Sequence, residues 1–250
     1  DVDDKIIAAA GESGQHINEV TAPFIEAFFK NLEELNIEKA DNYPKATDHI
    51  PEMLEIIKLL EKKGHVYEKD GSMYFNITSF PEYGRLAHLD VDGLQAGARG
   101  DADEYDKDNA RDFAVWKGVK PGEHYWDSEY GKGRPGWHIE CSAMSRKFLG
   151  DSFDIHCGGV DNIFPHHENE IAQSECATGH KFVNYWLHCE HLIVDNQKMS
   201  KSKGNFYTLE ELLDKGEDKR AIRYLLMSTQ YRKRLNFTFE ALKAATTSIN

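Results

Sequence analysis

Apolar positions recur at helical spacing at the start of the chain. Ile6, Ile7 and Ala10, then Phe24, Phe28, Leu32 and Leu35, repeat every three or four residues, and this predicts a helix-rich opening. Asp1, Asp3 and Asp4 stand around Lys5, placed to cap that first helix or to mark a handover from a strand. ADNYPKATDHIP, with two prolines among polar residues, reads as a joint. EMLEIIKLLEKKG carries the stripe of an amphipathic helix that ends near Gly64. The next segment reads as a hairpin turning at Asp70-Gly71. From Pro81 to Asp108 the chain is polar, and Asp101, Asp103, Glu104, Asp106 and Asp108 give it the character of a solvated surface loop.

The second half alternates strand-like and helix-like text, which predicts an α/β fold. ARDFAVWKG suggests a short strand, GKGRPG a flexible basic loop, and the residues after it a helix carrying Ile139, Met144 and Phe148. Such a loop suits a nearby phosphate or carboxylate, and an ordinary turn has the same composition. Phe153, Ile155 and Cys157 predict a buried strand that ends at Gly158-Gly159, with Asp161 just behind. Glycines there let backbone approach a ligand closely, and the acid can accept hydrogen bonds from ribose hydroxyls or an amine. His191 to Val194 predicts a second strand. Both strands carry candidate loops at their carboxyl ends, so they are expected as parallel neighbours in one nucleotide-binding sheet. The tail shows a helix through Ala221, Tyr224, Leu225, Met227 and Ser228. The run from Tyr231 to Arg234, with Phe237 and Phe239, fits contact with RNA phosphates or an exposed turn equally well.

Composition narrows the class. The 250 residues are 40% hydrophobic and 29% charged, with a net charge of -13. That is ordinary for a globular protein and argues against a broadly nucleic-acid-binding surface. No apolar run is long enough to span a bilayer, and no charged-then-apolar leader is read. Cys141, Cys157, Cys176 and Cys189 are the only cysteines and lack paired spacing. A disulfide scaffold is therefore not expected, and a reducing cytoplasmic location is.

Two stretches carry chemistry. A helix is predicted to start after Pro165, placing His166 and Glu170 four residues apart on one face. With the thiol of Cys141 they make most of a four-coordinate zinc shell, since mixed sulfur, nitrogen and oxygen donors suit zinc better than magnesium or calcium. The plainer alternative is that Cys141 is a small core residue and His166 caps a helix. The second stretch is Lys198-Met199-Ser200-Lys201-Ser202, followed by Lys203, Gly204 and Asn205. Its lysines, three apart, suit a mobile cationic loop that follows the charge on a triphosphate as pyrophosphate leaves. The alternative is a basic surface turn. Thr208 and Glu211 have capping-box spacing, which predicts a helix start immediately after.

GRPGWHIECSAM, IHCGGVDNIFPHHENEIAQSE and KMSKSKGNF closely resemble the signatures of the cysteinyl-tRNA synthetases, a class I aminoacyl-tRNA synthetase family. DVDDKII, ATDHIPEM, FPEYGRLAHLD and DFAVWK extend the likeness along the chain. KMSKS points only to class I, whereas HIECSAM and FPHHENE select cysteine. The resemblance implies a partial Rossmann-like catalytic domain with an inserted small α+β domain and a helical tail. The expected divisions are 1–45, the trailing part of a first nucleotide-binding half, and 46–117, the insert. Residues 118–195 would form the second half with the metal ligands, and 196–250 the catalytic loop and stem-contact region.

By the same resemblance, one zinc ion is expected on Cys141, His166 and Glu170. Trp137 and His156 would line the amino-acid pocket, Asp161 would help hold substrate, Gly158 and Gly159 would approach the nucleotide, and Lys201 would contact ATP. The implied partners are L-cysteine, ATP with Mg2+, and tRNA(Cys), without a membrane, for a protein that is monomeric when complete. The implied reaction forms cysteinyl-adenylate and then cysteinyl-tRNA. A cysteine-sugar ligase using the same adenylate and a non-catalytic zinc-binding remnant are the alternatives. Ahead of the segment that Asp1 to Lys5 resembles, family members carry another cysteine ligand and a HIGH-type motif that holds ATP phosphates. Neither is in these residues, nor is an anticodon-binding domain. The chain is therefore expected to be a fragment with an unfilled fourth metal position, for which Cys157, Cys176 and Cys189 are candidate substitutes.

Overall fold

The computed structural model describes residues 1–89, 112–120 and 122–249, and these divide into two units. The acidic cluster between Asp101 and Asp108 lies outside the described residues. The first unit comprises Asp1–Thr21, Pro44–His156 and Asp161–Trp186. It opens with α1 (Asp4–Ser13), where Asp3 caps the helix by accepting the Ile6 N–H at 2.6 Å. Gly14, at φ 68°, ends it. The next helix, α2 (Ile17–Glu34), passes into the second unit at Ala22. Phe24 and Phe28, part of the helical spacing read from the sequence, are exposed on it.

An α+β segment follows. In α3 (Ile50–Lys62) the buried residues Ile50, Met53, Ile56, Ile57 and Leu60 form one stripe. The helix ends at Gly64, where the His65 N–H bonds back to the Leu60 carbonyl at 2.9 Å. The strands β1 (Val66–Lys69) and β2 (Ser72–Phe75) form the hairpin, with Asp70 and Gly71 both at positive φ. Next in the antiparallel sheet are β3 (Phe113–Gly118) and β4 (Gly133–Pro135), in the order β1-β2-β3-β4.

GKGRPG is therefore not a free loop. A Cβ at Gly136 would stand 2.0 Å from the Ala114 carbonyl oxygen, and one at Gly133 2.4 Å from that of Lys117. Both glycines let β4 press against β3.

Two further helices complete this core, α4 (Trp137–Leu149) and α5 (Glu168–Thr178). Phe75, Phe113 and Trp116 from the sheet bury against Met53, Ile57 and Leu60 of α3, Ile139 and Ala143 of α4, and Ala172 and Ala177 of α5. Each large apolar side chain here contributes on the order of 1.5–3 kcal/mol by burial. The α+β segment thus shares its core with the helices carrying the candidate ligands, whereas the resemblance implied an inserted domain of its own.

The strand pairing differs from expectation. The partner of β5 (Phe153–Gly159) is β6 (Val183–Cys189), in a two-stranded sheet. The strand at His191 to Val194 appears as β7 (Leu192–Val194), in a different sheet of order β8-β7-β9 with β8 (Gln197–Lys198) and β9 (Leu235–Phe237). The expected neighbours are thus separated. The reason is that KFVNYWLHCEHLIV contains two strands broken at Glu190 and His191, and the first of them takes the place beside β5. The expected burial of β5 is also incomplete, because Ile155 is 56% exposed.

The second unit comprises Ala22–Tyr43, Cys157–Val160 and Leu187–Asn250. Its helices α6 (Leu209–Asp214), α7 (Lys219–Met227) and α8 (Phe239–Ile249) pack around Val194, Leu212, Ala221, Ile222, Leu225, Phe237 and Leu242. The capping box is present: Glu211 N–H donates to Thr208 Oγ1 at 3.2 Å, and Thr208 N–H to Glu211 Oε2 at 2.9 Å. Phe237, grouped from sequence with a basic surface run, is a buried β9 residue in register with Val194 of the parallel strand β7. Among the described residues no helix is long and apolar enough to cross a membrane.

Candidate metal and amino-acid site

The site is built on the first unit, from the start of α4, the approach to α5, and β5. Cys141 lies one turn into α4. His166 lies in the π-turn Ile163–His167 that leads into α5, and Glu170 lies in the first turn of that helix. Ligand atoms of Cys141, His166 and Glu170 all lie within 4.8 Å of one another. His166 and Glu170 are buried, Glu170 completely. A second trio, His156, His167 and Glu170, meets the same distance limit, so one carboxylate serves both sets.

Glu170 is fully buried beside three histidine rings. His166 Nε2 approaches Oε1 to 3.0 Å, His156 Nε2 approaches Oε2 to 3.6 Å, and His167 Nε2 stands 4.0 Å from Oε1. None of these contacts is aligned as a hydrogen bond, and among the described residues both carboxylate oxygens are buried without a hydrogen-bond partner. A buried carboxylate in that state costs several kcal/mol on general grounds unless a cation or donors meet it. Its surroundings are histidines and a thiol, which is a donor set suited to zinc. Burial, then the nearby carboxylates of Glu170 and Glu140, push the Cys141 thiol well above its ordinary range. Glu140 itself is pushed up to about 8, chiefly by burial. Burial also lowers the pKa of His156, favouring the neutral ring that can act as a lone-pair donor or hydrogen-bond acceptor.

Aromatic rings enclose the cluster. Trp137 lies over His166 with ring centroids 4.4 Å apart, and the residue is 45% exposed. His156, His167 and Trp186 pack mutually at 4.8 Å. Beside Trp137 a cavity of about 390 Å³ is lined by Asp3, Asp4, Lys117, Arg134 and Glu140 among others. Trp137 and His156 thus both touch the ligand cluster. Asp161 is exposed in the short turn Val160–Asn162, while Gly158 and Gly159 end β5.

The catalytic-loop candidates belong to the second unit. Lys198 is exposed on β8, and Lys201 and Ser202 are exposed in the turn Lys201–Lys203. Lys201 Nζ lies 5.3 Å from the centroid of the Phe206 ring. The Ser200 N–H donates to Asn205 Oδ1 at 2.9 Å, Asn205 Nδ2 donates to the Lys198 carbonyl at 3.2 Å, and the Ser200 and Ser202 hydroxyls are 2.9 Å apart. Met199 packs against the apolar core of this unit, so its place in the pentapeptide is that of an anchor.

Sequence reasoning overlooked His138, His167, Glu168, Asn169 and Trp186. His138 precedes Cys141 by three residues on a predicted helix, and this spacing was the available signal. Glu168 and Asn169 gave none, because their partners lie more than 80 residues away. All four cysteines are free; Cys157 and Cys189 are exposed, whereas Cys176 is buried within the first core.

The family model described as tRNA synthetases class I (C) catalytic domain matches residues 1–247. Over its whole length the chain is 61% identical to a cysteine--tRNA ligase of Brachyspira hyodysenteriae, covering 54% of that protein. It is 56% identical to one of Koribacter versatilis, covering 51% of it. The chain thus spans about half the length of the curated relatives it matches. Among solved structures, a Mycobacterium tuberculosis methionyl-tRNA synthetase bound by methionyl-adenylate superposes with a TM-score of 0.72 over 98% of this chain and 59% of that one, at 14% identity. That likeness concerns the fold alone.

Proposed function

Because the chain belongs to the class I (C) tRNA synthetase catalytic-domain family, we propose that it is part of an enzyme that activates L-cysteine with ATP and transfers it to tRNA(Cys). The observation that carries this reading is the meeting of Cys141, His166 and Glu170 around a buried carboxylate that lacks a hydrogen bond. Those three side chains would hold zinc. When bound, zinc would take the substrate's sulfur as thiolate and so distinguish it from a serine hydroxyl, a discrimination that pocket shape alone supplies weakly.

The chain's own groups have complementary tasks. Trp137 and His156 border the ligand cluster and would limit the space around a small side chain. Asp161 would receive the substrate ammonium group, and Gly158 and Gly159 would let the nucleotide approach the backbone. In the first step the substrate carboxylate attacks the α-phosphate of ATP, giving cysteinyl-adenylate and pyrophosphate. Lys198 and Lys201, with Mg2+ accompanying ATP, would balance charge on the departing pyrophosphate. The adenylate carbonyl is then attacked by a terminal ribose hydroxyl of tRNA, releasing AMP. Orientation and electrostatics account for most of such a reaction.

The test uses the 250-residue chain. Metal analysis of the purified protein should find zinc, and Cys141→Ser should lower its content. Calorimetry on the zinc-loaded chain should detect L-cysteine binding and far weaker L-serine binding, with the preference lost after chelation. Equal binding of the two amino acids by the loaded chain would refute the reading.

A further inference from the structure

We propose that His138 is a positioning residue for the candidate metal centre, holding the His166 ring in the tautomer that turns the Nε2 lone pair toward Cys141 and Glu170. The metal part of this proposal rests on the reading of Cys141, His166 and Glu170 given above. His138 Nδ1 lies 2.9 Å from His166 Nδ1, and both residues are buried. Two neutral imidazoles facing each other through these atoms share one proton: one nitrogen donates and the other accepts.

The opposite edge of His166 indicates which. Its Nε2 is 3.0 Å from Glu170 Oε1, yet neither oxygen of Glu170 receives an aligned hydrogen bond. A metal held at this edge takes the Nε2 lone pair, which leaves the ring proton on Nδ1 to be donated to His138. With the proton there, Nε2 presents its lone pair to the thiol and carboxylate, the form in which histidine binds a metal. His138 must then accept through Nδ1 and carry its own proton on Nε2.

The surroundings hold both rings in this relation. His138 and Cys141 are three residues apart on α4, so one helix supplies a ligand and the group that orients another ligand. Phe113 meets the His138 ring edge-on, with centroids 5.7 Å apart and planes at 86°. Trp137 covers the His166 ring. Rotation of either imidazole therefore requires displacement of a packed aromatic side chain.

The experiment combines nitrogen NMR with metal affinity. The zinc-loaded chain, labelled with 15N-histidine and kept at about pH 8, above the ordinary imidazole range, should show His166 protonated on Nδ1 and His138 on Nε2. In His138→Phe, the His166 Nδ1 proton should lose its acceptor and exchange faster with solvent, and zinc affinity measured by chelator competition should fall about 10- to 100-fold. His138→Asn, whose Oδ1 can accept near the lost Nδ1, should restore most of that affinity. Thermal melting of each variant separates this effect from misfolding. His138 protonated on Nδ1 in the zinc-loaded wild type would overturn the proposal, as would a folded His138→Phe variant with wild-type affinity. Failure of the wild type to take up zinc would overturn the metal reading and this proposal with it, whereas zinc uptake left unchanged by His138→Phe would overturn the role of His138 alone.

Discussion

Glu168 accepts the backbone N–H of Ala87 at 2.8 Å through Oε1, and its second oxygen accepts that of Gly84 at 3.0 Å. One carboxylate thus caps the turn through Tyr83–Ala87. Tyr83 reinforces the join by donating its hydroxyl to Asn169 Oδ1. The residue two places before the candidate ligand Glu170 is therefore a structural clasp, and the clasp and the ligand share the first turn of α5.

Removal of that clasp should destabilise the first unit. Glu168→Ala strands two donors in a buried place, and the expected loss is about 2–4 kcal/mol. Glu168→Gln keeps one acceptor and should lose less. Urea unfolding of both variants against the wild type checks the order. Equal midpoints for all three would show that the turn is held by other contacts.

Zinc should raise the chain's thermal midpoint, and chelation should reverse the rise, because binding to the folded state alone adds stability. Glu170→Gln removes a buried charge without a hydrogen bond. In metal-free conditions this variant should be at least as stable as the wild type. It should also lose most of the stabilisation by zinc. Calorimetric scans with and without zinc for both proteins test the pair of outcomes.

Phe237 and Phe239 should respond unequally to truncation. Phe237 is 5% exposed and packs in the core of the second unit, whereas Phe239 is 41% exposed. Phe237→Ala is expected to cost about 3–5 kcal/mol, and Phe239→Ala much less. Denaturant titration distinguishes them, and similar losses would contradict the assignment of Phe237 to the core.

His65 should make stability depend on pH. Burial, then the nearby charge of Lys63, lowers its pKa in the folded chain. Its ring stacks on Phe75, and Nδ1 is 2.8 Å from Ser79 Oγ. Since the folded pKa lies below the unfolded value, unfolding takes up a proton in the interval between them. The contribution is present above the unfolded pKa of about 6.5 and declines as pH falls toward the folded pKa. His65→Gln should flatten that part of the stability–pH curve in urea titrations. An unchanged slope would assign the dependence to other groups.

Lys201→Ala, in a protein of the full length of the relatives, should slow cysteine-dependent ATP–pyrophosphate exchange on the order of 10²-fold or more. Cysteine affinity should change little, because a lysine following departing charge acts mainly in the transition state. Exchange kinetics alongside equilibrium binding would check both quantities. An unchanged rate would remove Lys201 from the chemistry.

Local physics was legible in the chain alone. The stripe from Ile50 to Leu60, the stop at Gly64, the Asp70-Gly71 turn and the Thr208–Glu211 capping box depend on residues a few positions apart, and the structure contains each. The i, i+4 relation of His166 and Glu170 is of the same kind. Tertiary structure decided what depends on distant partners. It separated β5 from β7, because two short apolar runs do not encode which strand each will hydrogen-bond. It buried Phe237 and exposed Phe24, because periodicity identifies a face but not what covers it. It also brought His138 to His166 and Glu168 to Ala87. Those contacts span 28 and 81 residues, and packing of the intervening helices and sheet, rather than sequence spacing, brings their polar atoms into reach.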